Sequence, residues 1–588
     1  MASNSVNDKK LAERRHRRRQ LLSLAITLLG GALAYGLFVR RGMWLSVIGY
    51  SVSPAERVLQ GEVPYRDFLY NYTPGILWLN ALLMKLFGAT ILTVRSGVVA
   101  FRLAALVILL LLGSRLKLGW AALIPVALTL AWIDHKYVFG VYPTQYSMLF
   151  VMISLLFTLR YEASDHKRWL FLAGLSVGLV FVFKYNVGLT VAAAGVAAIA
   201  AKAIVGGTYE GQRRRPVMLG LGSIGVVLAG FAVIVGAMAA YLAYDGALGA
   251  MIDHFLHHVS AYSETRSVPL PPVKLVGPAA AVALVSVIGA FLVLRKAPRF
   301  FSVYVAGVTA LATVALLVPA RLYVLKISAS AAVAYFPPLL LLICLGMIVW
   351  KSRRELRSDS GRAQWWSRNG SSVIVGLFAL GAYLEVYPRA DYYHLVRVLP
   401  PIFLFAVMLG VRWLGSDPSS TARRSVARRE AMLCGAAVVV VFAVIGVKDT
   451  WLPQLDSRGR FVDRIPLSID RARGIMVNRR QAGLIEGLTR AIEEHSAPGD
   501  PIFSFAQRGC AFYVLTGRKN PTPFVWWRAV GIKGEHRERL LAMIANRQFK
   551  LILLQDQLTD QRVRDAVGQN YHPVASVTDI AVYQRNEP

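Results

Sequence analysis

Residues 21–38 read LLSLAITLLGGALAYGLF, without one charged side chain, and follow the basic run RRHRRR at 14–19. A helix rises about 1.5 Å per residue, so a hydrocarbon core about 30 Å thick needs roughly 20 mostly apolar residues per crossing. The same reading applies to AAVVVVFAVIGV from Ala436 and to a series of runs between the two. Hydrophobic residues make up 55% of the chain, concentrated in those runs, where a soluble domain carries about 45–50%. The chain reads as an α-helical polytopic membrane protein.

The formal charge of +33 first suggests nucleic acid, but its placement argues otherwise. Basic clusters at 14–19, 213–215, 351–357 and 423–429 fall between apolar runs. Cytoplasmic loops carry such an excess, and arginines there suit anionic lipid headgroups. No basic patch is interleaved with exposed aromatics on a soluble domain, so no nucleic-acid partner is expected. Three cysteines (344, 434 and 510) make neither a disulfide framework nor a zinc site. The basic start and first apolar run lack a small-residue cleavage site and read as an uncleaved anchor.

Charge parity sets the topology. With the N-terminus inside, the first span near 21–39 exits. The stretch 40–93 then holds two short amphipathic pieces, PAERVLQG and PGILWLNALLMKLFG. The second has about 15 residues, short for a crossing. If it crossed, the Arg115/Lys117 loop and every later basic loop would lie outside. Both pieces are therefore expected to be juxtamembrane helices. Further spans are expected near 96–113, 119–133, 145–160, 169–184, 188–204, 217–243, 273–293, 301–319, 329–350, 371–387, 396–414 and 431–447. That makes about 13, and the odd number places the tail outside.

The expected organisation is a basic cytoplasmic N-terminus (1–20), a transmembrane domain (21–447) and a periplasmic domain (448–588). In the tail, AGLIEGLTRAIEEH from Ala482 has helical periodicity, and PIFSFA, FKLILLQD and ASVTDIAVYQ each read as a strand. This predicts a small α/β domain with a mostly parallel sheet.

The outside loops hold the candidate chemistry. Loop 1 carries AERVLQGEVPYRDFLYNYTPG (55–75), dense in Tyr, Arg, Asp, Pro and Gly. Arg66 and Asp67 are adjacent and in an extended loop point opposite ways, so one can hold a phosphate while the other works as a base. The plainer alternative is that Asp67 bridges Arg66 and fixes the loop. Asp134 sits at a membrane boundary beside His135 and Lys136; it is either an interfacial anchor or a site residue. Lys184 closes a span. It either snorkels to the interface or binds a lipid phosphate, with Tyr185 and Asn186 as added donors. His254 and His258 stand i, i+4 without the glutamate of H-E-x-x-H, so sugar or phosphate contact is favoured over a metal. Arg389, Asp391, His394 and Arg397 crowd another outside loop, where charges are costly unless paired or facing water. Together these loops suggest one polar cavity. No phosphate-cradling glycine motif occurs, which argues against an ATP-driven pump.

AERVLQGEVPYRDF, then YNYTPGILWLNALLMKLFG and Arg95, resembles the GT-C superfamily of membrane glycosyltransferases, in the bacterial branch near protein O-mannosyltransferases and the aminoarabinose transferase of lipid A. FKYNVG at Phe183, RADYYHLVRVLPP at Arg389, and PGDPIFSF with YVLTGRKNP in the tail extend the likeness over nearly the whole chain. The resemblance implies a polyprenyl-phosphate sugar donor, an inverting transfer at the periplasmic face, an envelope acceptor, and an acidic residue in loop 1. No cofactor or metal is implied. Family members commonly carry a carboxylate about eight positions before Ala-Glu-Arg; here SVIGY (46–50) has none. Glu56, Asp67 or Asp134 would take its place, and Asp67 is the chosen candidate. Arg66, Tyr72, Asp134, Lys184, His258, Arg389, Asp391 and His394 are the expected substrate contacts. The expected activity is a hexosyl or pentosyl transferase of the inner membrane. The rivals are a non-catalytic paralogue and a lipid-linked glycan transporter or flippase. The transporter would need buried ionisable groups mid-span and inverted repeats, and few such groups and no repeats are evident.

Overall fold

The computed structural model describes residues 2–133, 140–206, 214–259, 300–317, 355–386, 392–415, 464–506, 508–525, 534–555 and 561–587, with scattered positions in 285–297, 341–353 and 433–451 and residue 559. Asp134, Arg389, Asp391, most of the spans expected at 273–293 and 329–350, and the side chain of His258 lie outside the described residues.

The membrane part opens with α1 (Ala2–Val39), two short helices α2 (Leu45–Ser51) and α3 (Ser53–Leu59), and α4 (Gly75–Phe87). A bundle follows: α5 (Ile91–Arg115), α6 (Leu123–Ala131), α7 (Pro143–Ser164), α8 (Arg168–Phe183), α9 (Tyr185–Ala201), α10 (Arg214–Tyr244) and α11 (Leu248–Asp253). Then come α12 (Phe301–Leu317), α13 (Asp359–Tyr383), α14 (Tyr392–Arg397) and α15 (Leu399–Gly415). Six helices among the described residues are long and apolar enough to cross a membrane: Glu13–Val39, Ile91–Arg115, Pro143–Ser164, Tyr185–Gly206, Gly220–Tyr244 and Ser360–Val386.

Local chemistry sets their ends. The Thr90 hydroxyl accepts from Thr93 N at 3.1 Å and starts α5. Pro143 opens α7, where its missing N–H costs nothing, and Asp165 closes it in the left-handed region at φ 56°. Gly88, at φ 90°, stops α4 after 13 residues, about 20 Å of helix and too short for a crossing. Instead α4 lies across the bundle end: Thr73 Oγ1 donates to Phe181 O at 2.7 Å, at the top of α8. α8 and α10 approach each other closely. A β-carbon on Gly174 would sit 2.1 Å from Val227 O, and one on Gly230 2.2 Å from Phe171 O, so only glycine permits that backbone approach.

The chain runs up and down, so one end gathers the C-termini of α1, α8, α10 and α13 with the N-termini of α5, α7 and α9. Loop 1 (residues 40–74) covers this end. The opposite end carries Arg115, Lys117, Arg160, Arg168 and Lys202, as the parity argument requires of basic loops. Buried Arg95 joins α5 to α1, donating to Val39 O at 3.2 Å and Gly42 O at 2.8 Å. Its charge thus meets the last carbonyl of α1 and a carbonyl of the loop that follows.

The tail domain contains β1 (Ile465–Pro466), β2 (Met476–Val477), α16 (Arg479–His495), β3 (Ile502–Ser504), α17 (Ala511–Thr516), α18 (Glu535–Ala545), β4 (Leu551–Leu554), α19 (Gln561–Asn570), β5 (Tyr571–Val577) and β6 (Ile580–Arg585). Its main sheet has the order β3-β4-β6-β5. Only β3–β4 is parallel; β4–β6 and β5–β6 are antiparallel, which corrects the mostly parallel sheet expected from sequence. The reason is ASVTDIAVYQ. It reverses at Thr578, held at φ 58°, and folds as the hairpin of β5 and β6 rather than as one strand.

Candidate active site

Loop 1 is built from aromatic rings and paired charges. Tyr50 stacks on Tyr70 at 5.3 Å between centroids, and Tyr72 meets both edge-on at 6.1 and 5.9 Å. Tyr65 is buried at φ 72°, a strained conformation for a bulky residue, and donates its hydroxyl to Tyr72 O at 2.6 Å. That turn corrects the extended-loop expectation for the next two residues. Arg66 and Asp67 do not diverge: Arg66 Nε and Nη2 reach the two Asp67 oxygens at 2.9 and 2.8 Å. Val63 N donates to Asp67 Oδ2 at 2.7 Å, and Arg66 Nη1 donates to Asp245 O at 3.0 Å, tying the loop to the end of α10.

The Arg66 hydrogen bonds hold the Asp67 carboxyl below the usual carboxylate range, helped by the Val63 N–H and the Arg66 and Arg57 charges. A depressed folded value means the loop anchor is fully formed above the ordinary range and lost as pH falls below it. Asp67 therefore stays ionised between about pH 5 and 8. A pH–rate profile over that interval is expected to show no ascending limb that disappears in Asp67→Asn; finding one contradicts this electrostatic account.

Beneath Tyr72 lies a group of buried charges. Lys184 is the single extended residue between α8 and α9, at φ −154° and ψ 100°, so the two helices turn on it. It does not snorkel: its side chain is 6% exposed and Nζ pairs with Glu385 Oε1, whose side chain is fully buried. Thr144, in the first turn of α7, donates to the same oxygen at 2.5 Å and lies 3.0 Å from Lys184 Nζ. Among the described residues, Glu385 Oε2 has no hydrogen-bond partner. Lys184 Nζ stands 5.6 Å over the Tyr72 ring, which links this group to loop 1. Arg397 of α14 lies 3.9 Å over the ring of Tyr142, the residue before α7. A cavity of about 70 Å³ beside Thr144 is also lined by Gln145, Arg102 and Arg397.

His254 is buried and its Nε2 lies 3.1 Å from Asn71 Oδ1, so this histidine supports loop 1. His394 is half-buried on α14, one turn before Arg397. Among the described residues, no group of three or more His, Cys, Asp or Glu is placed to hold a metal ion. The structure thus joins Arg66, Asp67, Tyr72 and Lys184 at one bundle end. Reading the residues one loop at a time missed how Glu385 and Thr144 enter this group. Its one visible signal was a glutamate closing an apolar helix, where charge is costly unless paired.

The tail domain seats directly on loop 1. Arg471 Nη1 pairs with Glu56 Oε1 and donates to Val514 O at 2.9 Å. Arg57 donates to Glu62 at 2.8 Å and Thr522 O at 2.8 Å, and covers the Phe68 ring at 4.6 Å. Leu69 N donates to Pro523 O and Gly42 N to Met476 O, at 2.8 and 2.7 Å. A β-carbon on Gly49 would lie 2.2 Å from Cys510 Sγ and 2.6 Å from Ala511 N, so α2 leaves no room for a side chain at 49 against the start of α17. Burial raises the Glu56 carboxyl above its ordinary value, opposed by Arg471, so Glu56 is committed to this interface.

Residues 71–209 match the family model described as dolichyl-phosphate-mannose-protein mannosyltransferase. The match starts in loop 1 and ends after α9, so it contains Tyr72, Thr144 and Lys184. That segment, about a quarter of the chain, is what resembles the family, and it lies in a protein with six described helices long and apolar enough to cross a membrane. Among solved structures it is similar to ArnT from Cupriavidus metallidurans bound to undecaprenyl phosphate, at 13% identity, with 96% of this chain and 97% of that chain covered and a TM-score of 0.46. It is also similar to the archaeal oligosaccharyltransferase AglB from Archaeoglobus fulgidus, at 12% identity, with 97% and 74% covered and a TM-score of 0.48. No curated protein matches.

Proposed function

We propose that this chain moves a sugar from a polyprenyl-phosphate carrier to a cell-envelope acceptor at the extracytoplasmic face of the inner membrane, with its tail domain in the periplasm. The observation that carries the reading is the buried Lys184–Glu385–Thr144 group directly under Tyr72 of loop 1. A membrane protein keeps such charges inside its bundle for work on a polar or charged substrate. The matched family's description, with its dolichyl-phosphate-linked mannose, supports a lipid phosphate as leaving group.

In this reading the acceptor oxygen attacks the anomeric carbon while the bond from that carbon to the phosphate oxygen breaks. The phosphate keeps the electron pair, and the acceptor proton passes to a carboxylate. Asp67, ionised and fixed by Arg66, is the proposed group that receives the proton or orients the acceptor. Lys184, Arg66 and Arg389 are the proposed phosphate contacts that stabilise the growing charge. Asp391, His394, His258, Asp134 and Tyr72 are proposed to meet the sugar or the acceptor.

The test is turnover of radiolabelled polyprenyl-phosphate sugar by the purified protein in lipid discs. Loss of a positioned base typically costs about 10²–10⁴-fold, so Asp67→Ala is expected to lose at least about 100-fold. Full turnover in that variant removes Asp67 from the mechanism.

A further inference from the structure

The glycosyl-transfer reading leaves unused a cationic cleft at the opposite end of the bundle. It has a volume of about 690 Å³ and is lined by Arg15, His16, Arg18, Arg19 and Leu22 of α1 and by Trp120 from the α5–α6 connection. Among the described residues, no carboxylate lines it. Inside it, two of the basic groups meet each other, Arg19 Nη2 lying 3.0 Å from His16 Nδ1. Three arginines thus face one cleft with no carboxylate among its described lining residues, an arrangement that repels itself unless an anion enters. Arg115 and Lys117, flanking the same connection, add to the positive field.

The face of α1 that carries these arginines continues as an apolar stripe. Arg15, Arg18, Arg19, Leu22, Ile26, Leu29 and Leu33 follow helical spacing, so they lie in one row along the helix. The apolar members remain uncovered: Leu22 is 48% exposed, Ile26 46%, Leu29 66% and Leu33 69%. Trp120, 50% exposed, stands at the junction of the charged and apolar parts. Such an amphipathic ring sits well at a headgroup boundary. A cationic cleft opening onto a bare apolar row fits an amphiphile lying along α1, rather than a soluble polyanion.

We propose that this cleft binds an anionic phospholipid. Its phosphates would lie on Arg15, Arg18 and Arg19, its glycerol region against Trp120, and its acyl chains along Leu22, Ile26, Leu29 and Leu33. Three arginines on one headgroup favour a lipid with two phosphates over one with a single phosphate. Each basic residue at an anionic surface contributes about a factor of five, so the three together account for on the order of 100-fold.

The test uses the full chain in detergent, with native mass spectrometry of added cardiolipin, phosphatidylglycerol and phosphatidylcholine, and with inorganic pyrophosphate as a lipid-free polyanion. Cardiolipin is expected to bind more tightly than phosphatidylglycerol, with phosphatidylcholine and pyrophosphate weakest. Arg15→Gln/Arg18→Gln/Arg19→Gln is expected to lose about 100-fold of the cardiolipin affinity. Should the triple variant fail to insert, Trp120→Ala, which changes no charge, is expected to weaken cardiolipin and leave pyrophosphate unaffected. The proposal is overturned if both variants bind cardiolipin as tightly as the parent, or if pyrophosphate binds as tightly as the lipid.

Discussion

Glu385→Ala is expected to destabilise the protein by about 3–5 kcal/mol, and Lys184→Ala by a similar amount, because each leaves a buried charge without its partner. The pair is nearly sealed from solvent, so water cannot replace what is removed. Replacing both members with apolar groups of similar size is often neutral, since neither charge then has to be desolvated. The double variant Lys184→Met/Glu385→Leu is therefore expected to recover most of the thermal stability of the parent. Activity is expected to separate from stability. If Lys184 holds the departing phosphate, the double variant unfolds at nearly the parental temperature yet transfers no sugar. A thermal unfolding series and a transfer assay on the parent, the two single variants and the double variant read both quantities. Recovery of turnover together with stability would make the pair a packing device and take Lys184 out of the phosphate site.

Cutting the link between tail and loop 1 is the second large effect. Arg471→Met leaves buried Glu56 without its ion-pair partner, and a hydrogen bond to a charged group is worth about 1.5–3 kcal/mol. Because Glu56 belongs to α3 and Arg57 beside it holds both Glu62 and Thr522 O, the loss is expected to loosen the approach to Arg66 and Asp67. The sign of the pH dependence follows from burial. The folded state already raises the Glu56 carboxyl, and removing Arg471 removes the opposing influence. The folded variant then binds a proton more tightly than the unfolded chain. Its stability falls as pH rises from the ordinary carboxylate range through the raised one, and recovers on acidification. Adding Glu56→Gln is expected to abolish that pH dependence. Unfolding measured across pH in the single and double variants checks it; a deficit independent of pH contradicts the assignment.

The helices were legible because the bilayer imposes a length. Leu21–Phe38 and several of its counterparts fall in the six described helices long enough to cross, out of about 13 spans expected, and α4, expected from parity as a juxtamembrane piece, is a helix of 13 residues. The tail sheet was less legible, since ASVTDIAVYQ carries no glycine or proline where Thr578 turns it back. Loop 1 was legible as a place but not as a geometry. Whether Arg66 and Asp67 diverge or pair depends on the strained turn at Tyr65, which a tyrosine does not advertise. The pairings of Lys184 with Glu385 and of Glu56 with Arg471 join residues 201 and 415 positions apart. No local pattern encodes such partners; they follow from which helix ends the bundle brings together.

Photocrosslinking of the donor reports most directly where transfer takes place. A photoreactive amino acid is placed at Tyr72, at Thr144, or at Trp366, which bonds Glu162 at the opposite bundle end, and each protein is irradiated with radiolabelled polyprenyl-phosphate sugar. Label is predicted at positions 72 and 144 and absent at 366. Label at 366 with none at 72 and 144 would place the donor at the wrong end of the bundle and contradict the site described above.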